Sequence, residues 1–107
     1  MSFEVLFLKE AQADLDAIHS YLLQHSADGA NWWLDSLELA IAALEEHPQR
    51  YARAPEDHLV SVTIQNLSFK TRKGRPYRLV YTIVENEVRV FRLLGPGHDL
   101  LRAEDFE

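Results

Sequence analysis

Five cations, Lys70, Arg72, Lys73, Arg75 and Arg78, stand within FKTRKGRPYRLVY, residues 69–81, of a chain that has eleven Lys and Arg in all. Side chains of this type at this density repel one another unless an anion or a carboxylate partner sits among them. Phosphate is the anion they suit, because Arg presents a fixed fork of donors that matches it and Lys a mobile point charge. A plainer use of such a run is a set of solvated charges that guards a sheet edge against pairing with other chains. The remainder of the chain lends the run no cationic support. Residues 1–59 carry three Lys/Arg against eleven Asp/Glu and residues 60–107 eight against six, so the net charge of −6 divides into −8 and +2.

Composition narrows the chemistry. With no cysteine, a disulfide framework, a Cys-based zinc site and thiol catalysis are excluded, and the usage fits a reducing interior. His19, His25, His47 and His58 show no pairing with carboxylates at metal-ligand spacing, so they read as surface or cap residues. No metal and no cofactor is expected. The opening MSFEVLFLKEAQADLD has only a short apolar run, with Glu4 before it and no cationic start, so neither a signal peptide nor a membrane span is expected and the chain reads as cytoplasmic.

At 107 residues and 12.4 kDa the chain suffices for one hydrophobic core and is too short for two, so residues 1–107 are expected to form a single domain. FEVLFL predicts a strand over 3–8, apolar enough to be buried on both faces. From Ala11 the period changes: Ala11, Leu15, Ile18 and Leu22 recur at helical spacing and predict a helix over 10–25. HSADGAN follows, with Gly29 suited to a left-handed C-cap and Ser26 or Asp28 to an N-cap. A second helix over 30–46 places Leu34, Leu37, Ile41 and Leu44 on one stripe, widened by Trp33 and Ala40, and stops before Pro48. Of the tryptophans that begin it, one is expected in the core and one, Trp32 or Trp33, against a partner.

HPQRYARAPEDH, with two prolines and no period, predicts a loop. Alternation in VSVTI puts Val60, Val62 and Ile64 on one face; Leu67 and Phe69 fall on the opposite parity, which calls for a bend or bulge near Asn66. Continuing that strand to 72 projects Lys70 and Arg72 from one face. YRLVYTIV and VRVFRLL flank ENE and predict a tight antiparallel hairpin, with Tyr77 and Tyr81 in the core beside Leu79 and Ile83. The order β-α-α-β-β-β predicts an α+β fold, a helical hairpin packed on a mainly antiparallel four-stranded sheet that the first strand joins across the hairpin.

YRLVYTIVENEVRVFRLL at 77–94, preceded by FKTRKG and joined to an N-terminal AQADLDAIHSYL, resembles the RelE/ParE superfamily of type II toxin–antitoxin toxins, the plasmid stabilisation family. The likeness spans nearly the whole chain in element order and is close only around YRLVY. In the RelE branch, which cleaves mRNA in the ribosomal A site, two alternating basic residues precede the tyrosine–arginine strand, and the resemblance puts them at Lys70 and Arg72. Arg78 matches the arginine of that strand. A further family arginine follows the last strand, and His98 in GPGHDLL stands nearest its place. The C-terminal catalytic tyrosine of the branch has no counterpart in LLRAEDFE, where Phe106 is the only aromatic residue.

Cleavage of RNA by internal transfer needs a base for the 2′-hydroxyl, cations for the phosphorane and an acid for the departing 5′-oxygen, and no metal. Arg72 and Arg78 keep their protons and suit charge stabilisation; Lys70 serves as a base only where neighbouring cations depress its pKa from about 10.4. His98, with a reference pKa near 6.5, is the better-placed proton shuttle, its plainer reading being a turn histidine. Lys73 and Arg75 would bind phosphate, RNA or the antitoxin. The resemblance therefore implies a metal-independent endoribonuclease, an mRNA interferase acting with ribosome and mRNA. Two alternatives stay open: the ParE branch, a non-enzymatic poison of DNA gyrase, and a degenerate toxin that only binds its antitoxin. All three imply a cognate antitoxin whose acidic residues meet Lys70, Arg72 and Arg78.

Overall fold

The computed structural model describes residues 2–59, 61–96, 101, 102 and 105. Strand β1 (Glu4–Phe7) leads directly into helix α1 (Lys9–His25) and helix α2 (Ala27–Glu46); two short 3-10 segments, Pro48–Arg50 and Pro55–Leu59, precede β2 (Gln65–Phe69), β3 (Tyr77–Val84) and β4 (Glu87–Leu94). The sheet order is β1-β4-β3-β2, with β1 parallel to β4 and the other pairs antiparallel. The expected α+β fold and the crossing of the first strand over the helical hairpin are both present.

The helices form where the apolar period placed them. Ala11 is fully buried, Leu15, Ile18 and Leu22 pack beside it, and α2 buries Trp33, Leu37, Ala40 and Leu44, with Leu34 and Ile41 partly covered at the edge of the stripe. One residue joins the two helices. Ser26 is extended, donates its backbone N–H to Leu22 O at 2.9 Å and accepts at Oγ from Gly29 N at 3.0 Å, so it ends α1 and caps α2. Gly29 is thus a residue of the first turn of α2, and no left-handed glycine is needed.

Both faces of the sheet are covered. On the helical side, Leu79, Tyr81, Val88, Val90 and Leu93 meet Ala11, Trp33, Leu37 and Leu44, and Tyr77 packs edge-on against Trp33 with ring centroids 5.5 Å apart. Each large side chain buried there contributes roughly 1.5–3 kcal/mol. On the other side, Val80 and Leu94 meet Ala54, Ile64 and Leu101, with Phe91 beside them. Tyr81 takes a further bond from this architecture, its hydroxyl donating to Pro48 O at 2.7 Å. Burial pushes the hydroxyl pKa of Tyr77 and Tyr81 upward.

Covering on both sides corrects three expectations. Residues 61–64 are no strand: Ala54 N donates to Ile64 O at 2.9 Å and Ile64 N donates to Asp57 Oδ1 at 2.7 Å, which ties this stretch to the preceding segment. Ile64 and Leu67 have opposite parity because they serve opposite cores, so no bulge near Asn66 is required. The irregularity lies in the β3–β4 ladder instead, where Val80 pairs with Arg92 and Tyr81 with Val90, leaving Phe91 as the extra residue. It lets Val90 and Leu93, of opposite parity, reach the same core. Finally, β1 is an edge strand and only half-buried, not enclosed on both faces.

The expected ENE hairpin is a two-residue turn at Glu85-Asn86, closed by the Val84–Glu87 pair, and Glu85 takes a left-handed φ of 57°. No helix among the described residues is long and apolar enough to cross a membrane.

Candidate functional site

The basic residues are displayed by the connection between β2 and β3. Strand β2 stops at Phe69, so Lys70 and Arg72 do not alternate along a strand as expected; they enter a turn in which Gly74 N donates to Thr71 O at 3.1 Å. Lys70, Arg72, Lys73 and Arg75 are all exposed, as four cations in one short turn must be when no carboxylate is built in beside them. Gly74 packs closely on Thr71: a Cβ there would stand 2.2 Å from Thr71 Oγ1, so the hydroxyl would have to move.

Arg78 has a different environment. It lies on β3 with the parity of Val80, opposite the helices, and its side chain is 19% exposed against 1% for Glu56. Arg78 Nη1 donates to Glu56 Oε1 at 3.0 Å and to Asn66 Oδ1 at 3.1 Å, Nη2 donates to Glu56 Oε2, and Leu101 N donates to the same Oε2 at 2.9 Å. Burial pushes the Glu56 carboxyl up, but the bonds from Arg78, from the Leu101 N–H and from its own backbone N–H outweigh it and hold the pKa below the ordinary value of 4.5. The Glu56–Arg78 pair therefore joins the second 3-10 segment, β2, β3 and the C-terminal segment.

The turn divides the remaining cations. Arg75 and Arg78 line a recess of about 190 Å³ with Ser68, Pro76, Tyr77 and Leu94. Arg72 and Lys73 line another of about 430 Å³, opposite Trp32, Asp35 and Ser36 of α2. Lys70 lines neither. Trp33 is the core tryptophan and Trp32 the exposed one, at 2% and 63%.

His98, the expected proton shuttle, and Phe106 lie outside the described residues. Among the described residues no group of three His, Asp or Glu could hold a metal ion. His25 Nδ1 lies 2.9 Å from Tyr21 O and His58 Nδ1 lies 3.0 Å from Pro55 O, both local turn contacts.

Sequence reasoning missed Glu56 and Asn66. Glu56 sits in an aperiodic segment next to Asp57 and His58, with no pattern to single it out from a solvated acid. A second missed pair is Asp14 of α1 and Arg92 of β4: Arg92 Nε and Nη2 donate to Asp14 Oδ2 and Oδ1 at 2.7 and 3.0 Å, and Leu93 N donates to Oδ2 at 3.0 Å. β1 ends opposite Val90, and Asp14 gives Leu93 N the acceptor that a longer β1 would have supplied.

A sequence model of the family described as "ParE toxin of type II toxin-antitoxin system, parDE" matches residues 5–99. No curated protein matches the chain. Among solved structures, one described as "Chromosomal ParDE TA system from P. aeruginosa" is similar with a TM-score of 0.63 and 17% identity, covering 87% of this chain and 95% of that one. At that identity the likeness is one of fold.

Proposed function

The chain belongs to the ParE toxin family of type II toxin–antitoxin systems, and on that premise we propose that it acts without catalysis, inhibiting DNA gyrase in the cytoplasm until a cognate antitoxin neutralises it. The observation that carries the choice between gyrase and ribosome is the engagement of Arg78 by Glu56. A nuclease of the RelE kind would spend that guanidinium on the phosphorane. Here a phosphate approaching Arg78 meets a carboxylate that already holds both terminal nitrogens. Separating a buried pair costs about 3–5 kcal/mol, whereas a hydrogen bond to a charged group returns about 1.5–3 kcal/mol. A single phosphate contact at Arg78 is therefore weaker than the bond it would have to replace, which favours the non-catalytic reading.

A further feature supports the reading: the net charge of −6 opposes docking on ribosomal RNA. A protein target with a basic contact surface would instead be favoured by that charge. The antitoxin rests on family membership and on the similar structure, whose description couples ParD with ParE. Its acidic residues are expected on Lys70, Arg72, Lys73 and Arg75, the cations that the fold leaves exposed; Arg78 already has its acid.

The test measures supercoiling by purified gyrase with the chain added alone and with antitoxin, alongside 5′-end mapping of mRNA on translating ribosomes after induction. Inhibited supercoiling with intact mRNA is expected. New 5′ ends within codons that disappear in Arg78→Ala and His98→Ala would restore the mRNA interferase reading and overturn this one.

A further inference from the structure

The recess between α2 and the basic turn adds, to the Arg72 and Lys73 that the toxin reading gives to the antitoxin, a helix wall of Trp32, Asp35 and Ser36 that it does not use. Trp32, Asp35 and Ser36 form one wall and Thr71, Arg72 and Lys73 the other, around about 430 Å³, within the range of small-ligand sites. Spacings of three and four residues put the first three on one helix face. Trp32 is 63% exposed, an unusual position for an indole. The side chains of Asp35, Arg72 and Lys73 form no hydrogen bond or ion pair with any described residue. Ser36 Oγ donates to Trp32 O at 3.1 Å, which leaves its lone pairs facing outward as acceptors.

We infer that this recess binds a nucleoside phosphate, with the base stacked on Trp32, the phosphate between Arg72 and Lys73, and Asp35 accepting from the N–H edge of the base. Each of these solvated groups then exchanges water for a ligand partner. An indole face accepts any base, cations from the turn neutralise the phosphate, and a carboxylate selects a base that presents two adjacent donors, as guanine does at N1–H and N2–H. An acidic segment such as the antitoxin's engages only the cationic wall: it satisfies Arg72 and Lys73 while bringing like charge to Asp35 and no planar group to Trp32, so it leaves the helix wall of the recess without an occupant of its own. The inference stands on the recess alone and holds for either target. The nucleoside phosphate is either a free nucleotide or one unit of a single strand.

The buried Trp33 and the exposed Trp32 make fluorescence selective, since only Trp32 is open to a stacking quencher. The full chain is titrated with GMP, UMP, guanosine, a guanine-containing single-stranded octamer and a polyglutamate peptide, with equilibrium dialysis as a second readout for Trp32→Ala. Saturable quenching by GMP is expected, weaker for UMP and for guanosine. Arg72→Ala and Lys73→Ala should each weaken binding about tenfold, the loss of one charge-assisted contact. Asp35→Asn should erase the preference for GMP over UMP. A strand is the source if the octamer binds far more tightly than GMP with a steep salt dependence, and a free nucleotide if the two bind alike. Absence of saturable binding by both GMP and the octamer would overturn the proposal, as would binding unchanged in the Arg72→Ala/Lys73→Ala double variant, or quenching by polyglutamate alone.

Discussion

Arg78 and Glu56, 22 residues apart, meet through both carboxylate oxygens in a site where Glu56 is 1% exposed. The pair is the centre of the second core, since Glu56 also receives Leu101 N, and Leu101 packs with Ala54, Ile64, Val80 and Leu94. The arginine that the sequence offers for phosphate chemistry is tied into the sheet's under-side by these bonds.

Removing either partner leaves the other charge without its counterion in a poorly hydrated place. Glu56→Ala is expected to destabilise the chain by about 3–5 kcal/mol, and Arg78→Ala by somewhat less because that side chain keeps contact with water. The double variant should cost less than the sum of the two, a coupling visible in a double-mutant cycle. Urea unfolding of the four proteins measures it. A stable Arg78→Ala with a lost function would instead mark the guanidinium as a contact for target or substrate.

The same pair sets an acid limit. The carboxyl of Glu56 is held below 4.5 in the folded chain and returns to about that value when unfolded. A depressed folded pKa contributes stability that is present above pH 4.5 and is lost as the pH falls through the folded value, because the unfolded state binds the proton first. Stability should therefore decline below about pH 4.5 in the wild type. Glu56→Gln, measured by thermal unfolding from pH 3 to 7, should show a flatter profile; an identical acid limb would assign the decline to other carboxylates.

Much of this architecture could be read from periodicity, and the failures share a cause. Ala11, Leu15, Ile18 and Leu22 announce α1 because a helix buries one stripe, and the ENE turn announces the last hairpin because its flanking runs alternate. Alternation in residues 60–64 misled because the argument supposes one buried face, whereas Ile64 and Leu67 enter opposite cores. The cations were visible at once as a cluster, but their division was not. Lys70 and Arg72 stand on a turn and Arg78 on a strand facing Glu56, and a contact across 22 residues leaves no spacing in the sequence.

Asp14 and Arg92 offer a test of how the helical layer is fastened to the sheet. Asp14→Ala removes two charged hydrogen bonds and the acceptor of Leu93 N; both side chains are slightly under one-fifth exposed, so a loss of about 2–3 kcal/mol is expected. Asp14→Asn keeps one oxygen for Leu93 N and should recover part of it. Amide exchange at Leu93 separates the contributions: fast exchange in Asp14→Ala and slow exchange in Asp14→Asn assign the backbone bond, and equal protection in all three proteins would remove it from the account.

The basic turn depends on the absence of a side chain at residue 74. A methyl group there would lie 2.2 Å from Thr71 Oγ1, well inside contact distance, so Gly74→Ala must rotate the threonine or open the turn. A destabilisation of about 1–3 kcal/mol is expected, the range for overpacking. Because the obstacle is one hydroxyl, Thr71→Ala in the same chain should recover most of the loss. Failure of that rescue would mean that the backbone at Gly74, not the contact with Thr71, sets the requirement for glycine. The distinction bears on function, since Thr71 and Gly74 together hold Arg72 and Lys73 opposite Trp32. A turn that opens in Gly74→Ala should weaken every ligand of the four exposed cations together, antitoxin included, while the rescued double variant should bind as the parent does.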